Sequence, residues 1–147
     1  MATRNTLHVE VVTAERDLYN GEADIVDVPG SDGQLGILPE HAPLLALLGA
    51  GPLQIKRNGE VDVLFISGGF LEVSHDRVVI LADTAENADE IDEARAEEAR
   101  RKAQAALQEA QSRAQRAEIE AALTRALFRL KAVELARQSG RHHHRHE

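Results

Sequence analysis

The feature that most restricts the fold is a long stretch, residues 88–139, that contains neither glycine nor proline. It consists mainly of Ala, Glu, Arg, Leu, Gln and Lys, the residues with the strongest helix propensity. Asp89 or Asp92 can cap its start, and Gly140 follows its end. A single helix of this length would be about 75 Å long. We therefore expect the stretch to fold back as a hairpin or to lie along a partner.

Alanine recurs in the first half of this stretch at alternating spacings of three and four residues. The alanines are Ala96, Ala99, Ala103, Ala106 and Ala110. Such a seam lets two helices approach closely but buries little apolar area, which is worth about 25 cal/mol per Å². The second half carries a bulkier stripe, made of Ile119, Leu123, Leu127, Leu130 and Val133 or Glu134. With the bend near residues 111–115, a hairpin closed by this seam would open at low cost. From the periodicity alone, a rigid hairpin or coiled-coil arm is favoured.

The first part of the chain, residues 6–85, has the period of β-strands. Short apolar runs are separated by turn signals such as Asn20-Gly21 and Asn58-Gly59. Strands at this spacing predict an all-β sandwich or flattened barrel. The predicted class is α+β, because strands come first and helices follow. We assign a β-sandwich domain to residues 1–86, a two-helix domain to 87–139, and a His-rich, disordered tail to 140–147.

Composition argues against several classes of function. The 147 residues carry a net charge of −8, which disfavours binding to nucleic acid. The chain contains no cysteine, so disulfides and thiolate catalysis are excluded. No apolar run approaches the roughly 20 residues of a membrane span, and no signal peptide is visible. We therefore expect a soluble chain that meets a membrane only through a partner.

The residues suggest no conventional active site and no metal site. His8 falls in a strand and His75 in a turn, whereas His41 lies in a stiff loop between two prolines. A structural or contact role is favoured for His41, because no Ser or Cys nucleophile signature accompanies it. The glycine-containing segments 33–36 and 67–69 lack the strand, helix and lysine context of a phosphate-binding loop. The chain is therefore predicted not to be an enzyme.

Two arginines of the helical stretch differ from its other basic residues. Nearly every Lys or Arg there has an acidic residue three or four positions away, but Arg125 and Arg129 have none. Two guanidinium groups four residues apart on one face suit an anion, above all a phosphate chain. A solvated face, or ion pairs with another subunit, remain the alternatives.

Several ordered motifs resemble one protein family. They are residues 33–45 (GQLGILPEHAPLL), 67–73 (SGGFLEV) and 81–85 (LADTA), followed by a match over residues 91–135. These segments resemble the epsilon subunit of bacterial and chloroplast-type rotary ATP synthases. The resemblance implies a sandwich of about ten strands followed by a two-helix hairpin. It also implies a place in the central stalk, on the cytoplasmic side of the cell membrane. There the β domain contacts the gamma subunit and the membrane rotor ring of c subunits, and the helices can extend toward the catalytic alpha and beta subunits.

The resemblance further implies a regulatory ATP site. Some family members bind ATP on the folded hairpin through the motif Ile/Leu-Asp-x-x-Arg-Ala, and residues 91–96 match it. Lys102 stands where such members can have an arginine, and lysine lacks the planar bidentate fork. The implied ATP-binding residues are Glu86, Ile91, Asp92, Arg95, Ala96, Lys102, Arg125 and Arg129.

The functional hypothesis is a non-catalytic rotor subunit that couples and regulates a proton- or sodium-driven ATP synthase. It has no obligatory cofactor, and ATP acts only as a regulatory ligand that favours the folded hairpin. In the loop of residues 31–38, Gln34 is expected to face the rotor ring, and His41 is expected near the gamma subunit. A free-standing ATP-binding sensor and a structural coiled-coil adaptor are the alternative functions.

Overall fold

The chain forms one antiparallel and parallel mixed β-sheet followed by a pair of helices. The computed structural model describes residues 5–140. Within them the strands are β1 (Leu7–Val12), β2 (Asp17–Ala23), β3 (Ile25–Gly30), β4 (Gly33–Ile37), β5 (Leu44–Arg57), β6 (Glu60–Ser74) and β7 (Arg77–Asn87). A 3₁₀ turn (Ala88–Glu90) leads into α1 (Glu93–Glu109) and α2 (Arg113–Gly140). The strand order is β2-β1-β7-β6-β5-β3-β4. The predicted α+β class, a sandwich followed by a helical hairpin, is confirmed.

Three long strands account for the difference between seven strands and the expected ten or so. Pairing along β5, β6 and β7 is interrupted at Gly49, Gly68 and Asp83, which lie side by side across the sheet. Gly68 and Gly69 have φ angles of 76° and 130°, a region in which side chains are strained. A Cβ at Gly69 would also collide with the carbonyl oxygen of Leu81. Counting each interrupted strand as two gives about ten.

The sheet encloses its core by folding over on itself. β2 contacts β5, although three strands separate the two in the sheet. Alternation along β1 sends Leu7, Val9 and Val11 inward, and all three are fully buried. Their partners come from both layers and include Leu53, Ile55, Leu64, Ile66, Leu71, Val78 and Ile80. One continuous apolar core therefore stabilises the sandwich.

The helices pack on the outer face of this sheet, through α2. Leu64 and Ile66 of β6 face the inner core, whereas Val63 and Phe65, which alternate with them, face α2. Ala132 of α2 is fully buried against these two residues. Half-buried apolar residues surround the contact, namely Ala50, Val61, Ile91, Phe128, Leu135 and Ala136. Burial on both faces explains why β6 has a continuous apolar run rather than strict alternation.

The seam between α1 and α2 is narrower than predicted. Ala96 and Ala103 of α1 are buried, but Ala99 and Ala106 are exposed and Ala110 is half-buried. Because the buried alanines are seven residues apart, α1 meets α2 along one line rather than a broad face. Prediction of a five-alanine seam was therefore wrong at two positions. In the bulky stripe, Leu127 is 46% exposed, and Ile119, Leu123, Leu130 and Val133 are half-buried.

The bend is short and is capped by a side chain. Residues 110–112 connect the helices, at the start of the predicted segment. The backbone N–H of Gln115 donates to Ser112 Oγ at 3.1 Å, as at a helix N-cap. At the opposite, open end, Arg137 Nη2 of α2 lies 2.6 Å from Glu93 Oε1 of α1. α2 runs through Gly140, and the remaining seven residues of the predicted tail lie outside the described part of the chain.

Candidate functional site

A cleft of about 340 Å³ lies near the open end of the hairpin, where β7, the 3₁₀ turn, α1 and α2 meet. Eight residues line it: Glu86, Glu90, Ile91, Asp92, Arg95, Ala96, Ala99 and Arg129. Every one of the four elements contributes to this lining. The cleft therefore requires both a folded hairpin and contact of the hairpin with the β domain.

Two caps fix the backbone on one side of the cleft. Asp92 is the N-cap of α1, and its Oδ1 accepts from the Arg95 backbone N–H at 3.2 Å. Before it, the N–H of Asn87 donates to Glu90 Oε1 at 3.2 Å. These hydrogen bonds place the first turn of α1, with its positive dipole end, beside the cleft.

Arg129 is fixed on the other side by the β domain. Its Nε lies 2.6 Å from Glu86 Oε1 of β7, and its Cζ lies 5.0 Å from the centre of the Phe65 ring. Arg129 was singled out because its own helix offers no acidic partner, but Glu86 lies 43 residues away in the sequence. Spacing along one helix cannot detect such a partner, so the interpretation of Arg129 as unpaired was wrong.

Six of the eight residues implied for ATP binding line this cleft, and two do not. The six are Glu86, Ile91, Asp92, Arg95, Ala96 and Arg129. Arg125 lies one turn before Arg129 on α2 and is exposed, with no ion pair among residues 5–140. Lys102 is exposed on α1 and is not part of the lining.

Sequence reasoning missed Glu90. It lines the cleft and accepts a hydrogen bond from Arg16 Nη2 at 3.0 Å. The hydrogen bonds from Arg16 and from the Asn87 N–H lower the pKa of the Glu90 carboxyl group, so it is ionised at neutral pH. Asn87 followed three residues later by Glu90 has the spacing of a capping box, which is the signal that could have identified it.

The charges of the cleft define what it can bind. Three carboxylates, Glu86, Glu90 and Asp92, face two guanidinium groups, Arg95 and Arg129. Within the described residues, the Arg95 side chain has no hydrogen-bond or ion-pair partner, so it is available to a ligand anion. The carboxylates can accept hydrogen bonds from amino or hydroxyl groups. A ligand with a phosphate at one end and polar N–H or O–H groups at the other is complementary to this arrangement.

The two predicted contact residues lie in the β domain, outside the cleft. Gln34 is exposed on β4, an edge strand, opposite Pro29 of β3. His41 is half-buried, and its Nδ1 lies 2.7 Å from the Ala42 carbonyl oxygen. In residues 5–140 there is no group of three or more His, Asp or Glu side chains placed to hold a metal ion.

Comparison with known proteins assigns the family. Residues 6–88 match the β-sandwich domain of the ATP synthase delta/epsilon chain, and residues 89–134 match its long α-helix domain. The chain belongs to the ATP synthase delta/epsilon chain family. Relatives called ATP synthase epsilon chain include one from Dehalococcoides mccartyi, 49% identical over 133 residues, covering 90% of this chain and 95% of the relative. Another, from Chloroflexus aurantiacus, is 52% identical over 129 residues, covering 88% and 93%.

Solved structures show the same fold as this member of the delta/epsilon chain family. A chain in the cryo-EM structure of the Euglena gracilis mitochondrial ATP synthase OSCP/F1/c-ring has a TM-score of 0.77 and 24% identity, covering 92% of this chain and 84% of its own length. A chain of the Tetrahymena thermophila mitochondrial ATP synthase central stalk and c-ring has a TM-score of 0.59 and 16% identity, with coverages of 90% and 99%.

Proposed function

We propose that this family member is a non-catalytic central-stalk subunit of a rotary ATP synthase. It couples ion-driven rotation to ATP synthesis, and its helical hairpin restrains ATP hydrolysis when ATP is scarce. It works on the cytoplasmic side of the cell membrane, peripherally, through the rotor ring. No helix in the described part of the chain is long and apolar enough to cross a bilayer. The name of its relatives, ATP synthase epsilon chain, supports membership of the synthase complex. The residues of the cleft support the proposed regulation by ATP.

The observation that carries the regulatory proposal is the composition of the cleft. Arg95 of α1, Arg129 of α2 and Glu86 of β7 come together only when all three elements are packed. In this proposal the two arginines bind the phosphates of ATP, and Glu86 and Asp92 meet the base or ribose. Because an extended hairpin lacks the site, ATP favours the folded state. At an ATP concentration of about 100 times the dissociation constant, binding stabilises the folded hairpin by roughly 2.7 kcal/mol.

Loss of ATP would shift the hairpin from the folded toward the extended state. The seam between the helices buries few large side chains, so opening costs little free energy. In the extended state, α2 would lie along the gamma subunit and reach the catalytic subunits. Its basic residues outnumber its acidic ones, which suits contact with acidic surfaces. Hydrolysis would then stop when ATP is scarce.

Calorimetry on the whole chain tests the ATP site. We expect millimolar or tighter binding of ATP, weakened about tenfold or more by Arg129→Ala, since a charge-assisted hydrogen bond is worth roughly 1.5–3 kcal/mol. Arg125→Ala removes the same charge one turn away, outside the cleft, and should weaken binding less. In the assembled enzyme, both variants should be more easily inhibited.

The possible results separate the hypotheses. No heat and no thermal shift at millimolar ATP would contradict the ATP site but leave the stalk role standing. Conversely, ATP binding by a chain that does not bind a cognate gamma subunit would favour the free-standing sensor. A chain that bound neither would correspond to the structural adaptor.

An exposed apolar row on the β domain supports contact with the gamma subunit. Leu47 of β5, Phe70 of β6 and Leu81 of β7 are paired side by side across the three strands. They are 56%, 51% and 52% exposed, and Leu45 beside them is 73% exposed. Clustered large apolar side chains on a sheet face are typical of protein interfaces. We call Leu45, Leu47, Phe70 and Leu81 the apolar row and assign it to gamma.

The two predicted contact residues of the β domain give a separate test of assembly. Gln34→Ala and His41→Ala should each weaken incorporation into the rotor, because Gln34 is proposed to face the c-ring and His41 to lie near gamma. Gln34 is exposed, and the one side-chain hydrogen bond of His41 among residues 5–140 is to its neighbour's carbonyl. The melting temperature of the isolated chain should therefore hardly change. A lower melting temperature with normal assembly would show that these residues serve only the fold.

A further inference from the structure

One aromatic side chain of the β domain contacts the arginine that α2 contributes to the cleft. Phe65 is 1% exposed, and its ring centre lies 5.0 Å from Arg129 Cζ. Phe65 on β6 is paired directly with Glu86 on β7, and Glu86 is the ion-pair partner of Arg129. Two neighbouring positions of the sheet therefore present a ring face and a carboxylate to the same guanidinium group.

We propose that Phe65 is a positioning residue for the nucleotide cleft, which acts by orienting Arg129 together with Glu86. The proposal rests on the ATP-binding function proposed above and extends it. Phe65 itself does not line the cleft. It acts through Arg129: Phe65 and Glu86 of the sandwich fix the orientation in which this α2 side chain can bind phosphate.

The geometry of a guanidinium group makes this arrangement compatible with anion binding. The group is planar: its face can stack on an aromatic ring while its edges donate hydrogen bonds. In Arg129, the Nε–H donates a hydrogen bond to Glu86 Oε1, and the terminal N–H groups have no partner among residues 5–140. Those N–H groups can therefore engage a phosphate without loss of the ring or carboxylate contact. A long side chain that is already ordered loses less rotamer freedom when the ligand binds.

The contacts of Arg129 determine which packing contacts ATP affinity depends on. If Arg129 were oriented by α1, the orientation of its guanidinium group would depend only on closure of the hairpin. Because Phe65 and Glu86 belong to the β domain, productive orientation of Arg129 requires that α2 be packed on the sheet. ATP affinity then depends on the joint between the two domains as well as on the hairpin.

Fluorination of the ring tests the proposal with little change in shape. Phenylalanine at position 65 is replaced in the full chain by its 4-fluoro, 3,5-difluoro and pentafluoro analogues, which progressively remove the negative charge of the ring face. ATP affinity measured by calorimetry should fall stepwise, by about 2–5-fold overall, as expected for a cation–π contact of roughly 0.5–1 kcal/mol. The same series at Phe70, which is exposed on the other half of β6, is the control and should leave affinity unchanged.

A second measurement reports on Arg129 without ligand. Its Nε–H resonance should shift and exchange faster with solvent in Phe65→Leu, which keeps an apolar side chain but removes the ring. Unchanged affinity across the fluorinated series, or an unchanged Nε–H resonance in Phe65→Leu, would overturn the positioning role. If the unsubstituted chain does not bind ATP, the ATP-binding function fails instead, and the Nε–H measurement still decides whether Phe65 orients Arg129.

Discussion

Ala132→Glu should release both helices from the β domain while the sandwich stays folded. Ala132 is fully buried between α2 and the outer face of the sheet, next to Val63 and Phe65. A carboxylate there would be an unpaired charge in an apolar contact, which costs several kcal/mol. The contact consists of a few apolar side chains, so release of α2 from the sheet costs less free energy than burial of the unpaired carboxylate. The core of the sandwich consists of β-domain residues and includes none from α2.

Hydrogen exchange and ATPase assays check this expectation. Amides of α2 should lose protection by a factor of ten or more, whereas those of β1 and β7 should keep theirs. In the assembled enzyme, hydrolysis should be inhibited at all ATP concentrations, because the cleft can no longer form. Ala121→Glu, an identical change at an exposed position of α2, is the matched control and should behave like the unaltered chain. Full protection of α2 in Ala132→Glu would contradict docking of α2 on the sheet through Ala132.

Phe70→Glu should strongly weaken binding to the gamma subunit. Phe70 is the central member of the apolar row, between Leu47 and Leu81. Central aromatic residues of an interface commonly contribute 2 kcal/mol or more, so we expect a loss of affinity of about 30-fold or greater. Because Phe70 is half-exposed in the isolated chain, the melting temperature should change little.

The control for Phe70 is an apolar residue of similar exposure elsewhere. Leu127 of α2 is 46% exposed and lies outside the row. Leu127→Glu should leave gamma binding intact when the hairpin is folded. Normal gamma binding by Phe70→Glu would exclude the apolar row as the docking surface and favour the loop around His41 instead.

Local sequence signals predicted most of the fold. Asn58-Gly59 marked the turn between β5 and β6, and the absence of Gly and Pro marked the helices. The turn predicted at Asn20-Gly21 was wrong, because both residues lie inside β2 and pair with β1. The exact number of strands did not follow, because bends inside β5, β6 and β7 depend on the neighbouring positions Gly49, Gly68 and Asp83 across the sheet. Which alanines are buried was also missed in part, since burial depends on how α1 lies against α2.

The candidate site was predicted less completely than the fold. The motif at residues 91–96 and the acidic Glu86 were identified through a family resemblance, and they line one cleft. Phe65 was not singled out, because an aromatic residue in an apolar strand looks like core. Its contact with Arg129, and the ion pair of Arg129 with Glu86, join different domains. Such long-range pairs leave no periodic trace in a single sequence.

The length of β5 and β6 has a mechanical consequence. Both strands carry the apolar row on one half and the contact with α2 on the other. A force applied at the row therefore reaches the base of the helices along the two strands themselves, across the interruption at Gly49 and Gly68 and without an intervening loop. In a rotor, the folded hairpin would keep a fixed orientation relative to the central shaft during rotation. Only opening of the hairpin would change the direction of α2.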